Sequence, residues 1–252
     1  MNKIKDTFNK KGLNFIGYLT VGYPDYKTSL KWAEKAISNG VDILEIGVPF
    51  SDPVADGITI QHASHIALQN GMNKQKLLNW IIDFRKKNDT PLIVMSYYNP
   101  IYHNGNINFI KQLHNIGVNG IILPDLPYVE GKEIYKKINT FKMATPMLIP
   151  PNISHSDIPN IVNISSGFIY IVSKTGTTGE TSSFHSSLIK LISNIKTISQ
   201  TPVALGFGIS NSSQIDPFRD ILDGIIVGSN LINRMENNLE LSDWIAKIKG
   251  SK

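Results

Sequence analysis

Short apolar runs rich in β-branched residues alternate with longer amphipathic segments along the whole chain. Eight of these runs have the length and composition of buried strands, and they span 15–21, 42–48, 91–96, 120–123, 145–149, 168–172, 202–206 and 224–227. The segments between them carry apolar residues at helical spacing, as in the stripe of Leu30, Ala33, Ala36 and Ile37. This alternation predicts parallel strands joined by crossover helices, with both faces of the sheet covered.

Eight strand–helix units predict an α/β fold of the closed (β/α)8 or TIM-barrel type. A short helix over 3–9 should precede the first strand and close the bottom of the barrel. The chain has 252 residues and no linker-like segment, so we expect one domain over 1–252. The alternative is an open doubly wound sheet, but no glycine-rich dinucleotide fingerprint follows the first strand.

Composition narrows the range of functions. Cysteine is absent, which excludes disulfides, thiolate catalysis and cysteine-based metal sites. The net charge of +5 comes from lysines that are spread along the chain, so we expect no nucleic acid and no membrane as partner. No apolar run reaches the ~20 residues that cross a bilayer, and the first residues lack the apolar core of a secretory signal. We therefore expect a cytoplasmic location, or the organelle stroma if the gene is plastid-encoded.

One ionisable residue, Glu45, interrupts the second apolar run near its C-terminal end. Desolvating a charge is costly, so a buried strand seldom holds such a residue without a reason. The loop that follows carries Asp52 and Asp56, and catalytic groups of barrels lie where strands run into their loops. Two carboxylates, one dry and one in a polar loop, would suit acid/base catalysis. The competing interpretation is that Glu45 pairs with a lysine and that both aspartates only form turns.

Three glycine-rich turns follow the last three predicted strands, at 176–179, 206–210 and 227–230. Glycine lets backbone N–H groups approach phosphate oxygens, and a helix that starts after such a turn adds its dipole. Barrels bind phosphate after their seventh and eighth strands. The pattern therefore predicts a phosphorylated ligand.

Other polar residues point less clearly to a role. From context alone, Tyr170 is a core aromatic residue and Lys174 a solvated loop residue, and the histidines His62 and His65 lack a third metal ligand. The loops 97–100 and 124–127 shape the mouth of the barrel, and Asp125 could be catalytic, structural or both.

The run from Leu44 to Gln61 resembles the signature of the tryptophan synthase α-subunit family, L-E-[LIV]-G-x-P-F-S-D-P-x-A-D-G-P-x-I-Q. The one departure is Ile58, where the family usually has proline. The resemblance continues over nearly the whole chain, through 97–100, 123–127, 173–179, 206–209 and 228–229, and it is weaker at 150–152 and 180–184.

This resemblance implies a lyase that cleaves indole-3-glycerol phosphate to indole and glyceraldehyde 3-phosphate without a cofactor. Glu45 would move the protons, because burial should raise its pKa until it holds a proton near neutral pH. Asp56 would stay ionised in its polar loop, accept the hydrogen bond of the indole N–H and stabilise positive charge on the ring.

The same resemblance implies roles for residues at the later strand ends. Thr178 would bond Asp56, and Tyr170 would position the substrate. Tyr18 and Phe207 are candidates for contact with the indole. Four residues would hold the phosphate, namely Gly179, Gly208, Gly228 and Ser229.

A partner is also implied, because family members pair with a pyridoxal-phosphate-dependent β subunit in an α2β2 complex. The contacts are expected at the mouth, where indole leaves, through Asp52, Pro53, Asn99 and Pro100. Two alternatives stay open at this point. One is another phosphate-binding barrel, such as a sugar-phosphate isomerase, although its usual lysine or histidine set is absent. The other is a weakened barrel that mainly activates or scaffolds its partner.

Overall fold

The computed structural model describes residues 3–10, 12–172, 181–206 and 208–250, and for 181–184 only the backbone is described. All eight predicted strands are present, each within two residues of its expected ends. They are β1 (Asn14–Thr20), β2 (Ile43–Gly47), β3 (Leu92–Met95), β4 (Gly120–Ile122), β5 (Met147–Ile149), β6 (Ile169–Val172), β7 (Val203–Gly206) and β8 (Gly224–Val227).

Helices surround these strands. They are α1 (Lys3–Phe8), α2 (Tyr26–Ser38), α3 (Ile58–Gln69), α4 (Lys74–Arg85), α5 (Tyr98–His103), α6 (Ile107–Asn115), α7 (Tyr128–Thr140), α8 (Ile158–Ile164), α9 (Thr181–Ile198), α10 (Ser229–Glu236) and α11 (Ser242–Lys249). Two 3₁₀ turns, Ser212–Gln214 and Asp216–Phe218, separate β7 from β8. No helix in the described ranges is long and apolar enough to cross a membrane.

The strands are all parallel and follow the order β4-β3-β2-β1-β8-β7-β6-β5. The expected barrel is confirmed, but β4 and β5 do not form a full strand pair. They meet through a single bridge between Gly120 and Ala144. There the Ile121 N–H donates to the Ala144 carbonyl at 2.9 Å. Pro146, two residues after Ala144, has no N–H to continue the hydrogen bonding between the two strands. The seam between β4 and β5 therefore opens toward the mouth.

The N-terminal helix closes the bottom of the barrel, as expected. Ile4 of α1 is fully buried. A Cβ atom at Gly120, the first residue of β4, would lie 2.8 Å from Ile4 Cδ1. The absence of a side chain at Gly120 therefore leaves room for Ile4 to pack at the start of β4.

Register at the mouth brings the candidate residues together. Tyr18 of β1 pairs with Glu45 of β2, and Thr20 pairs with Gly47. On the other side of β1, Gly17 pairs with Val227, so the turn that begins at Gly228 starts beside this strand. Since paired residues of parallel strands share a face, Tyr18 and Glu45 lie on the same face of the sheet.

Candidate active site

Glu45 is completely buried within β2. Neither carboxylate oxygen has a hydrogen-bond partner within the described part of the chain, so pairing with a described lysine is ruled out. Burial, and secondarily the nearby Asp56 carboxylate, raises the pKa of Glu45 from 4.5 to about 8. The side chain therefore carries a proton at neutral pH and can donate it.

Asp56 lies on the loop between β2 and α3, and its carboxyl group is half-buried. Burial raises the pKa of Asp56 from 3.8 to about 6. A hydrogen bond from the Tyr97 hydroxyl to Asp56 Oδ2, 3.1 Å long, opposes this rise. Asp56 is consequently still an anion at neutral pH.

Tyr97 fastens the loop after β2 to the end of β3. Its hydroxyl accepts the Ala55 N–H at 2.8 Å and donates to Asp56. The Tyr97 ring also packs against Phe50, with ring centroids 5.2 Å apart. The sequence indicated that 97–100 shapes the mouth but gave no role to Tyr97. Its position two residues beyond the end of β3 was the only available signal.

Two tyrosines fill space that glycines leave open at the mouth. A Cβ atom at Gly47 would lie 1.9 Å from the Tyr18 hydroxyl oxygen, and one at Gly206 would lie 2.7 Å from the Tyr170 hydroxyl oxygen. A Cβ atom at Gly228 would meet Tyr18 Cδ1 at 3.2 Å. Burial raises the pKa of both phenols well above the usual value, so both stay neutral.

The turns after β7 and β8 are held together. Asn230 Nδ2 donates to the Ser210 carbonyl at 3.0 Å. Helix α10 begins at Ser229, directly after Gly228, and its first N–H groups have no carbonyl partner within the helix. Gly208 has a φ of 74° in the loop after β7, a conformation that favours glycine. This arrangement can bind an anion at the edge of the Tyr18 ring.

Four residues singled out from the sequence, Lys174, Thr178, Gly179 and Phe207, lie outside the described residues. Their predicted roles stay predictions. The described residues also contain no cluster of His, Cys, Asp and Glu side chains that could hold a metal ion.

An apolar cavity of about 440 Å³ runs along the seam between β4 and β5. Leu148 and Val172 line it, and Asp125 stands among its few polar residues. Leu148 pairs with Tyr170, and Val172 lies two residues beyond Tyr170 on β6, so all three share one strand face. Tyr170 itself does not line the cavity.

The residues predicted to contact a partner lie on the loop after β2 and in the first turn of α5. Asp52 and Asn99 are exposed, whereas Pro53 and Pro100 are half-buried. Three apolar side chains on this loop, α3 and α5 are also exposed. They are Val54 at 84%, Ile58 at 86% and Tyr102 at 60%. The sequence did not indicate that these three would be exposed.

A parallel eight-stranded barrel with two carboxylates and an anion-binding turn at its C-terminal mouth defines the molecule as a (β/α)8-barrel enzyme. The model of the family described as tryptophan synthase alpha chain matches residues 4–249. This chain belongs to that family.

Curated relatives and solved structures agree over nearly the full length. The tryptophan synthase alpha chain of Dehalococcoides mccartyi is 39% identical over 96% of this chain and 94% of its own. That of Lachnospira eligens is 41% identical over 93% of this chain and 91% of its own. A solved structure of the tryptophan synthase α2β2 complex from Pyrococcus furiosus contains a similar chain, with a TM-score of 0.84 and 32% identity. It covers 95% of this chain and 99% of that chain.

Proposed function

We propose that this chain is a carbon–carbon lyase that cleaves indole-3-glycerol phosphate to indole and glyceraldehyde 3-phosphate in tryptophan biosynthesis. Family membership supports the reaction. The observation that carries the chemistry is Glu45, a fully buried carboxyl group without a described hydrogen-bond partner. It faces the mouth next to an anionic Asp56. Such a pair separates a proton donor from a fixed negative charge.

Glu45 acts as the general acid and base. Protonation of the indole ring at C3 turns the ring into an electron acceptor, and a proton must leave the side-chain hydroxyl next to the bond that breaks. The hydroxyl oxygen then becomes the aldehyde oxygen of glyceraldehyde 3-phosphate, and the electrons of the C–C bond return to the ring to give indole. One proton is delivered and one is removed, so the step needs no cofactor. The raised pKa of about 8 allows Glu45 to hold the first proton at neutral pH.

Asp56 supplies the negative charge that the protonated ring requires. As an anion above about pH 6, it accepts the hydrogen bond of the indole N–H and stabilises the positive charge that develops there. Its bond from Tyr97 keeps the carboxylate in one orientation. Thr178 would add a second bond to Asp56.

The rest of the site positions the substrate. Tyr170 orients it, and Tyr18 together with Phe207 contacts the indole. The anion-binding turn receives the phosphate. Its proposed ligands are backbone groups of Gly179, Gly208, Gly228 and Ser229. Because the Tyr18 ring lies against Gly228 and its hydroxyl lies against Gly47, one tyrosine separates the phosphate turn from the strand that carries Glu45.

The partner is a tryptophan synthase β subunit that consumes the indole, in an α2β2 complex like the one described for Pyrococcus furiosus. We assign its contacts to Asp52, Pro53, Asn99 and Pro100, with the exposed side chains of Val54, Ile58 and Tyr102 as further apolar contacts. The chain acts as a single domain. A location in the cytoplasm, or in a plastid stroma, stays a prediction.

The test is release of indole from indole-3-glycerol phosphate by the purified chain, measured alone and with a β subunit. We expect slow release alone and faster release in the complex. Indole-3-glycerol without its phosphate is the matched control, and its KM should be much higher. A chain that stimulates the β subunit but never releases indole would contradict the proposal and would favour the scaffold alternative.

A further inference from the structure

Asp125, in the loop after β4, forms a hydrogen bond to a neighbouring loop. Its Oδ1 atom accepts the backbone N–H of Tyr98 at 2.8 Å. Tyr98 is the first residue of α5, and the residue before it, Tyr97, gives this helix no side-chain cap. A phenol cannot fold back on its own helix as a short acceptor can. Asp125 therefore caps α5 from another loop.

The loop segment that carries Asp125 is held in a fixed conformation. Tyr135 of α7 is 1% exposed, and its hydroxyl donates to the Leu126 carbonyl at 2.7 Å. Pro124 and Pro127 flank this pair of residues and fix two backbone torsions. The carboxylate of Asp125 is thus presented at a defined position relative to the barrel.

Tyr98, which Asp125 caps, directly follows Tyr97, whose hydroxyl binds Asp56. On one side, the Ser96 N–H donates to the Ile122 carbonyl of β4 at 3.0 Å. On the other side, Asp125 binds the Tyr98 N–H. Tyr97 lies between these two anchors, and its hydroxyl bonds Asp56 at 3.1 Å. Loss of the second anchor would free the Tyr97 backbone on its C-terminal side.

We propose that Asp125 is a positioning residue that orients Asp56 through the backbone of Tyr98 and the side chain of Tyr97. The inference rests on the proposed function, because it concerns the geometry of the same reaction. Asp125 does not touch the substrate in this proposal. It keeps Tyr97 in the position from which the hydroxyl can donate to the carboxylate.

The test is a double-substitution cycle in the complex with the β subunit, with Asp125→Ala, Tyr97→Phe and the two combined. Asp125→Ala should lower kcat for indole release about three- to tenfold and leave KM within twofold. The combined variant should be no slower than Tyr97→Phe alone. Asp125→Asn keeps the Oδ1 acceptor and should restore kcat to within twofold of the wild type.

The acid side of the kcat/KM profile provides a second readout. Asp56 is faced by Tyr97, Glu45, Tyr18 and Tyr170. Among the described residues, only the Tyr97 hydroxyl bond lowers the pKa of Asp56. Asp125→Ala should therefore move the acid limb to higher pH, in the same direction as Tyr97→Phe and by a smaller amount.

Asp157→Ala is the matched control, because Asp157 accepts a hydrogen bond from Tyr128 at 3.0 Å in a loop that does not contact Tyr97 or Tyr98. It should change neither kcat nor the acid limb. An unchanged kcat in Asp125→Ala, a KM raised more than fivefold, or effects of Asp125→Ala and Tyr97→Phe that multiply would each overturn the inference.

Failure of the proposed function is seen separately, in a wild-type chain that releases no indole. In that case carbon-13 NMR of the Asp56 carboxyl still tests the inference. Asp125→Ala should raise the measured pKa of Asp56, and an unchanged value would overturn the proposal.

Discussion

Strand β2 and the loop that follows it each hold one of the two proposed catalytic carboxyl groups, and they control it in different ways. Glu45 is held by the barrel wall, is fully buried and has no described hydrogen-bond partner. Asp56 lies in the loop, is half-buried and accepts a bond from Tyr97. Burial raises both pKa values, to about 8 for Glu45 and to about 6 for Asp56. A strand therefore sets the protonation state of its carboxyl group through desolvation, whereas the loop also needs a dedicated donor.

Among the substitutions at these carboxyl groups, Glu45→Gln should have the largest effect on activity. The amide has nearly the same shape but can neither deliver nor remove a proton. We expect indole release to fall by about 1000-fold or more, as for loss of general acid–base catalysis, with an unchanged far-UV circular dichroism spectrum. Glu34→Gln, at a half-buried glutamate that pairs with Lys87 at 3.2 Å, is the control and should keep full activity. Near-normal turnover by Glu45→Gln would refute its acid/base role.

Asp56→Asn removes the charge of the loop carboxyl group and leaves an acceptor for Tyr97. We expect kcat to fall about 100-fold, because the positive charge on the ring then loses a preorganised anion. Steady-state kinetics with indole-3-glycerol phosphate measures the loss. A change confined to KM would show that Asp56 binds the substrate but does not stabilise the transition state.

The pH dependence of stability separates the two carboxyl groups. Folded Glu45, with a pKa raised from 4.5 to about 8, holds a proton that the unfolded chain has released, so stability falls as pH rises through this range. Asp56 changes the pH dependence of stability only below about pH 6. Between pH 6 and pH 8 the wild type should lose roughly 2 kcal/mol relative to Glu45→Gln. Urea unfolding at several pH values measures this difference, and parallel curves for the two proteins would contradict it.

Tyr97→Phe tests the hydrogen bond that the loop carboxyl group of Asp56 accepts. It removes the donor to Asp56 and the acceptor for the Ala55 N–H. We expect kcat to fall about tenfold, in line with the loss of one hydrogen bond to a charged group. The acid limb of kcat/KM should move to higher pH, since the lost bond lowers the pKa of Asp56. Tyr26→Phe loses a similar bond, 2.8 Å long, between α2 and Asp83 of α4, and should leave both values unchanged.

The sequence predicted the barrel well because its strands are coded locally. Apolar runs rich in β-branched and aromatic residues, such as 168–172, alternate with amphipathic segments, so the number of strands could be predicted. The incomplete pairing of β4 with β5 was missed, because it depends on how these two strands meet in the folded sheet.

Within the site, local coding explains which predictions succeeded. An isolated carboxylate in an apolar run was enough to predict the burial of Glu45. The hydrogen bond from Tyr97 to Asp56 was not predicted, because the two residues lie 41 positions apart in the sequence. The cap that Asp125 gives to α5 is also a contact between loops. Such contacts between distant loops leave no periodic signal in the sequence.

The close packing of Tyr18 against Gly47 restricts which residues can occur at these two positions, in natural relatives and in redesigned variants. The phenol occupies the space of the missing side chain at position 47. Neither position can therefore grow alone, and among related sequences a larger residue at 47 should occur together with a smaller one at 18. A library that aims to admit a bulkier indole should vary the two positions as one unit.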